Sequence, residues 1–189
     1  MLDRNEARRM LDQLNAAAGE GQPRWILLEL DETTGRALVL CEECVAKMPF
    51  NVEWSKITWE QCTLRGWLNT EFLNGLPESV RARIPETEIV NRDSCTIPGG
   101  NNTLDRVFLL SVDQYNAMPE EHRAAKYRGS GCWWWLRTPG YDSYNFANVN
   151  RCGGLDGGLD ANGKYVGHGY HVDSDSGCVR PACYLDLNP

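Results

Sequence analysis

The spacing of apolar residues sorts the chain into helical and extended stretches before any other property is needed. Ala7, Met10, Leu11, Leu14 and Ala18 fall on one stripe, which predicts an amphipathic helix over Asp3 to Ala18. Asp3 and Glu6 supply a capping pattern at its start, and Gly19, Gly21 and Pro23 end it. Trp25 to Leu30 and Ala37 to Cys41 are strand-like, and the Asp31-Glu32-Thr33-Thr34-Gly35 turn between them suits a hairpin. Trp59 to Leu76 is helical in pattern, with Leu64, Trp67, Leu68 and Phe72 facing a core and Asn74-Gly75 closing it. Pro77 to Ile84 reads as a second short helix, stopped by Pro85. Ile89 to Thr103 is polar and reads as a loop. Asp105 to Ser111 reads as a buried strand, and Ser111 to Met118 as a capped helical turn. Three adjacent tryptophans in Cys132 to Pro139 point to alternate sides if extended, so both faces of that strand are expected to be covered. Cys178 to Leu187 again has a strand pattern.

Size and charge narrow the class. A chain of 189 residues, 42% hydrophobic, is long enough to bury a core without covalent staples. Its formal net charge of −7 repels phosphate backbones, so no nucleic-acid partner is expected. No apolar run approaches the ~20 residues of a membrane helix, so no membrane insertion is expected. The first residues carry no basic-then-apolar signal. Cytoplasmic synthesis is the expectation, with a phage particle or export by another route left open. Eight cysteines tempt one toward disulfides, but without a secretion signal reduced thiols are expected.

The character of the sequence changes beyond Gly140. Tyr141 to Gly177 is rich in Gly, Asn, Asp and Tyr. Lys, Glu, Gln, Met and Trp number 32 among residues 1–140. At that density a segment of this length would hold about eight of them. It holds one, Lys164. Disordered linkers are poor in aromatics and rich in Glu, Lys and Gln. This segment is the reverse. Randomising the adenines of AAC codons produces such a bias, because codons ending in C never encode the five missing residue types.

At this point the chain resembles the variable proteins of diversity-generating retroelements. More specifically, it is similar to a bacterial domain family of unknown function whose members share a C-type-lectin-like, formylglycine-generating-enzyme-like fold. The matching pieces are WEQCTLRGWLN (59–69), DRVFLLS (105–111), WWLRTPG (134–140) and GCVRPACYL (177–185). The resemblance implies an α+β fold: a small twisted, mainly antiparallel sheet with flanking helices and long irregular loops. Residues 1–22 are then an N-terminal helix outside the match, and residues 23–189 the lectin-like domain. The resemblance also implies that 141–177 is a diversified, ligand-facing surface on a fixed scaffold. Tyr for contact area and Asn, Ser, Asp and Gly for adaptable hydrogen bonding are the composition of antibody paratopes.

The expected ligand-binding residues are Tyr141, Asp142, Tyr144, Asn145, Phe146, Asn148, Asn150, Arg151, Asp156, Tyr165, His168, Tyr170, His171, Asp173 and Asp175. They are expected on one exposed face, meeting a protein or cell-surface ligand. The sequence leaves the oligomeric state open. The rival is an enzyme or a fixed-ligand carbohydrate-binding lectin of the same fold. No Ser-His-Asp arrangement, carboxylate pair or phosphate loop stands out, so no catalytic residue is expected. Cys41-Glu42-Glu43-Cys44 is a CxxC, but a structural zinc needs two more ligands and no second CxxC exists, so no metal is expected. The Gly-Gly-Leu-Asp repeat at 153–160 hints at a calcium loop, but Gly158 and Gly169 fall where carboxylates are required. The calcium motifs of true C-type lectins are absent. Cys178 and Cys183 do not match the cysteine-pair motif of the formylglycine-generating relative, and five-residue spacing on one strand would put them on opposite faces. No cofactor is expected. Trp133, Trp134 and Trp135 are expected in the core rather than as a sugar platform, and Arg137 and Arg180 as braces for the segment.

Overall fold

The computed structural model describes residues 2–187; Met1, Asn188 and Pro189, at the ends of the expected spans, lie outside the described residues. Helix α1 (Arg4–Ala17) starts where expected. The Asp3 carboxylate accepts from the backbone N–H groups of Asn5 and Glu6, and Ala7 and Leu11 are buried. Strands β1 (Trp25–Asp31) and β2 (Arg36–Cys41) form the expected hairpin, with a bulge between Leu27 and Glu29. Helix α1 is tied to this hairpin. The Asn15 side chain donates to the Trp25 carbonyl at 2.9 Å and accepts from the Trp25 N–H at 2.8 Å.

Asp31 holds the hairpin turn, accepting from the Thr33 hydroxyl and from the N–H groups of Thr33 and Thr34. These bonds, the Thr33 side chain first, lower its carboxyl from the usual 3.8 to about 2. A depressed carboxyl contributes stability that is present above pH ~4 and lost as pH falls toward ~2. Asp31→Asn is therefore expected to flatten the acid limb of the stability curve. Thermal midpoints at pH 5 and pH 2.5 should differ less in the variant than in the wild type. An unchanged difference would remove Asp31 from the acid sensitivity.

Next come β3 (Ala46–Lys47) and a long helical passage. The expected single helix over 59–76 is interrupted. A 3-10 turn (Trp59–Gln61) breaks at Cys62, whose backbone is extended. Helix α2 (Thr63–Trp67), a π-turn (Leu68–Phe72) and α3 (Leu73–Gly75) then follow without a gap. The break has a local cause: Asn51 Oδ1 accepts from the Thr63 N–H, the Phe50 carbonyl from that of Leu64 and Cys62 Sγ from that of Arg65. Helix α4 (Glu78–Arg81) is shorter than expected. The ends of the expected 89–103 loop pair as β4 (Thr87–Ile89) and β5 (Thr103–Asp105).

Strand β6 (Val107–Phe108) leads through fully buried Leu109 and Leu110 to α5 (Val112–Ala117). The α5 capping box joins Ser111 and Gln114 reciprocally. A small hairpin, β7 (Ala125–Tyr127) and β8 (Ser130–Cys132), precedes β9 (Trp134–Pro139), which is buried along its whole length. The remaining strands are β10 (Asn145–Val149), β11 (Tyr170–His171), β12 (Cys178–Val179) and β13 (Ala182–Asp186).

Two larger sheets result, ordered β1-β2-β13-β6 and β11-β10-β9-β12-β3, beside the two small hairpins. All pairings are antiparallel except β9 with β12. The chain is thus an α+β protein built on small, mainly antiparallel sheets. The expected terminal strand over 178–187 is split between these two sheets. Arg180 and Pro181 make the corner, and Pro181 offers no N–H to a continuing ladder. Cys178 and Cys183 therefore lie in different sheets, not on opposite faces of one strand.

Candidate ligand-binding surface

The segment 141–177 is fastened at both ends to neighbouring strands. Cys178 of β12 pairs in parallel with Trp134, the first residue of β9, whereas the segment departs beyond Pro139 at the other end of β9, so its two ends join one sheet at opposite ends of that strand. Gly177 is packed against the Trp135 indole so closely that a Cβ would lie 2.0 Å from its nitrogen. Within the segment the backbone is bonded outward to the scaffold. Ser94 and Thr96 hydroxyls donate to the carbonyls of Gly140 and Tyr141, at 3.0 and 2.7 Å. The Ile57 N–H donates to Ser143, and the Asn51 N–H to Val172. Gly169 has φ +70° and sits on the Phe146 carbonyl, where a side chain would collide.

Four residues expected at the surface are buried: Asn145, Phe146, Asn148 and Tyr165. Three belong to β10, which is an inner strand covered by β9 and β11 rather than irregular surface chain. Phe146 stacks on Phe50 with ring centres 3.7 Å apart. Asn145 donates to Asp142 Oδ1, which also accepts from the Tyr144 N–H. Half-buried Asp142 thus shapes its own turn. Tyr165 turns inward and donates its hydroxyl to the Asp156 carbonyl, and burial raises its pKa.

The other expected residues fall into groups. Tyr144, Tyr170 and His171 come together with two scaffold tryptophans. Trp54, 52% exposed, stacks on Tyr144 at 5.0 Å and meets the His171 ring edge-on at 4.9 Å. Tyr170, 42% exposed, lies 4.5 Å from Trp133. Asp173 and Asp175 are exposed in the turn that follows His171. Tyr141 and His168 form a second pair at 5.4 Å, joined by a backbone bond from the Tyr141 N–H to the His168 carbonyl. Asn150 and Arg151 are exposed in the turn after β10, at the far end of that strand from Tyr144. There the Asn150 side chain accepts from the Cys152 and Gly154 N–H groups. Asp156 is exposed beyond that turn, its N–H bonded to the Asn148 carbonyl. Asp160 organises the next loop, and bonds from the backbone of Lys164 lower its pKa.

Trp54 was not expected at the site. It lies nearly ninety positions before the segment, in a stretch with no period, and only the 50–57 loop folding over β10 and β11 brings it there. The three adjacent tryptophans divide: Trp134 and Trp135 are fully buried, whereas half-buried Trp133 underlies Tyr170. The segment carries five aspartates against Arg151 and Lys164, so the surface is acidic as well as aromatic. A hollow of about 370 Å³ lies at its edge, between Arg92, Asp113, Thr138 and Lys164. A larger groove of about 740 Å³ lies elsewhere, lined by Cys44, Trp67, Phe72 and Tyr127.

Fold and surface together describe an α+β domain that presents an anchored, aromatic-lined, acidic segment to solvent. The chain belongs to the family described as Domain of unknown function (DUF6273), whose model matches residues 34–187. No curated protein and no solved structure matches the chain.

Proposed function

We propose that this chain is a non-enzymatic ligand-binding module of receptor or adhesin type, with a C-type-lectin-like fold and a surface diversified by retroelement-mediated adenine mutagenesis. The carrying observation is that exposed side chains of the compositionally biased segment hang from a backbone held by scaffold hydrogen bonds. Side chains there can change without moving the chain that bears them. Tyr141, Tyr144, Arg151, Asp156, His168, Tyr170, His171, Asp173 and Asp175 are the display positions, and Trp54 and Trp133 are fixed aromatic neighbours. The ligand is a protein or cell-surface structure.

Sequencing the gene and its flanks in independent isolates tests this. A nearby reverse transcriptase and a near-copy of the segment differing at adenines are expected. Substitutions should fall on the display positions and spare Gly140, Phe146, Gly169 and Gly177. Changes spread evenly over exposed and buried positions, or no near-copy, would sink the proposal. A fixed glycan-binding lectin is the second reading, favoured by exposed Trp54 stacked on half-buried Tyr144, since sugars bind aromatic faces. It predicts an unvarying segment.

A further inference from the structure

Three cysteines distant in sequence meet at one point. The Sγ atoms of Cys44, Cys132 and Cys178 all lie within 4.8 Å of one another, with Cys44 and Cys132 3.5 Å apart. All three are buried. They are the one such group of metal-ligating side chains among the described residues. We propose that these three thiolates bind a zinc(II) ion, with the fourth coordination position left to water or an external ligand.

Geometry supports this. Tetrahedral zinc with Zn–S bonds of about 2.3 Å requires sulfurs about 3.8 Å apart, which the cluster spans with little adjustment. The three elements are also set independently of any ion. The Cys44 N–H donates to the Lys126 carbonyl at 2.8 Å, and that of Cys178 to Trp133 at 3.2 Å. Cys132 ends β8, beside Cys44. A preformed trio of soft ligands selects a soft or borderline cation over calcium or magnesium.

Charge gives a second, separate indication. Arg180 is 1% exposed, yet the hydrogen bonds of its guanidinium go to backbone carbonyls, those of Cys41, His122 and Glu42, and its face rests on the Trp134 ring. No carboxylate lies within ion-pair distance of it among the described residues. A buried cation needs an opposite charge nearby. Zinc with three thiolates carries a net charge of −1, and Arg180 and Lys47 both act electrostatically on Cys132. Loading replaces the thiol protons of the trio with one Zn²⁺ and releases them to solvent, with no change of oxidation state.

The CxxC at 41–44 does not act as a unit. Cys41 is fully buried in β2, away from the cluster. Only Cys44 joins, and its partners come from β8 and β12.

The test uses the full chain, purified without oxygen in a phosphine reductant and titrated with zinc chloride. About one zinc per chain should survive desalting, and X-ray absorption should find three sulfurs at about 2.3 Å. Cys44→Ser, Cys132→Ser and Cys178→Ser should each abolish stoichiometric uptake, while Cys95→Ser and Cys152→Ser, both exposed, should not. If a cluster variant fails to fold, sulfur-to-cobalt charge transfer in the cobalt-loaded wild type reads the thiolate count directly. Fewer than three sulfurs, uptake that persists in the triple serine variant, or a reduced wild type that takes no zinc would each overturn the proposal. Recovery of a Cys44–Cys132 disulfide whose reduction restores no binding falls under the last.

Discussion

Asp105→Ala is expected to lower the urea midpoint by about 2 M, a loss of about 4 kcal/mol at a slope of about 2 kcal/mol per molar. Asp105 is 1% exposed and receives three side-chain donors: the Trp59 indole N–H at 2.9 Å, the Thr103 hydroxyl at 2.8 Å and Arg65 Nε at 2.6 Å. Removing the acceptor leaves the Trp59 N–H buried and unpaired, because Trp59 has no access to solvent. Arg65 is partly exposed and also bonds the Glu60 and Leu104 carbonyls, so it can turn to water at lower cost. The tryptophan therefore sets most of the penalty. Asp105→Asn keeps an oxygen acceptor and should lose clearly less. Equal midpoints for the alanine and asparagine variants would refute this account.

Arg180→Leu should lower stability by about 3 kcal/mol. It orphans three carbonyls, bonded at 2.9, 2.6 and 3.0 Å. It also removes the cation resting on the Trp134 ring at 5.0 Å. Desolvation, which lowers the arginine pKa, is relieved by the substitution, so the net loss is less than three full bonds. Arg180→Lys should recover little, because one ammonium cannot reach carbonyls on three sides as the planar fork does. Urea unfolding of the two variants measures this; full recovery by lysine would show that charge, not the fork, matters.

What could be read from the sequence was local. Asp3 and the Ser111–Gln114 box start their helices because a cap and its target lie within three residues. The Trp134–Pro139 strand was legible because adjacent tryptophans cannot all face water. Arg137 and Arg180 were expected to brace the segment, but both bond outside it: Arg137 to the Leu109 and Val90 carbonyls and the Gln114 amide oxygen, and Arg180 to the carbonyls of Cys41, His122 and Glu42. Strand β10 was not legible, since Asn145 and Asn148 are polar and their burial depends on strands supplied from elsewhere. The corner at Arg180 and Pro181 escaped because the apolar pattern continues through it while the partner sheet changes. Trp54 and the cysteine trio escaped for the same reason. Their neighbours are set by chain folding over tens of residues, which no period records.

The order of strands has a kinetic consequence. Strand β13 lies between β2 and β6, and β12 lies between β9 and β3. Neither larger sheet can close until residues 178–186 have been synthesised. During translation β2, β3, β6 and β9 must wait with open edges, which exposes them to mispairing. Folding is then a late, long-range event, slow for its size because loop closure precedes the contacts that stabilise it. Whatever changes occur between residues 141 and 177 are made in the stretch that separates β9 from the strands that complete both sheets.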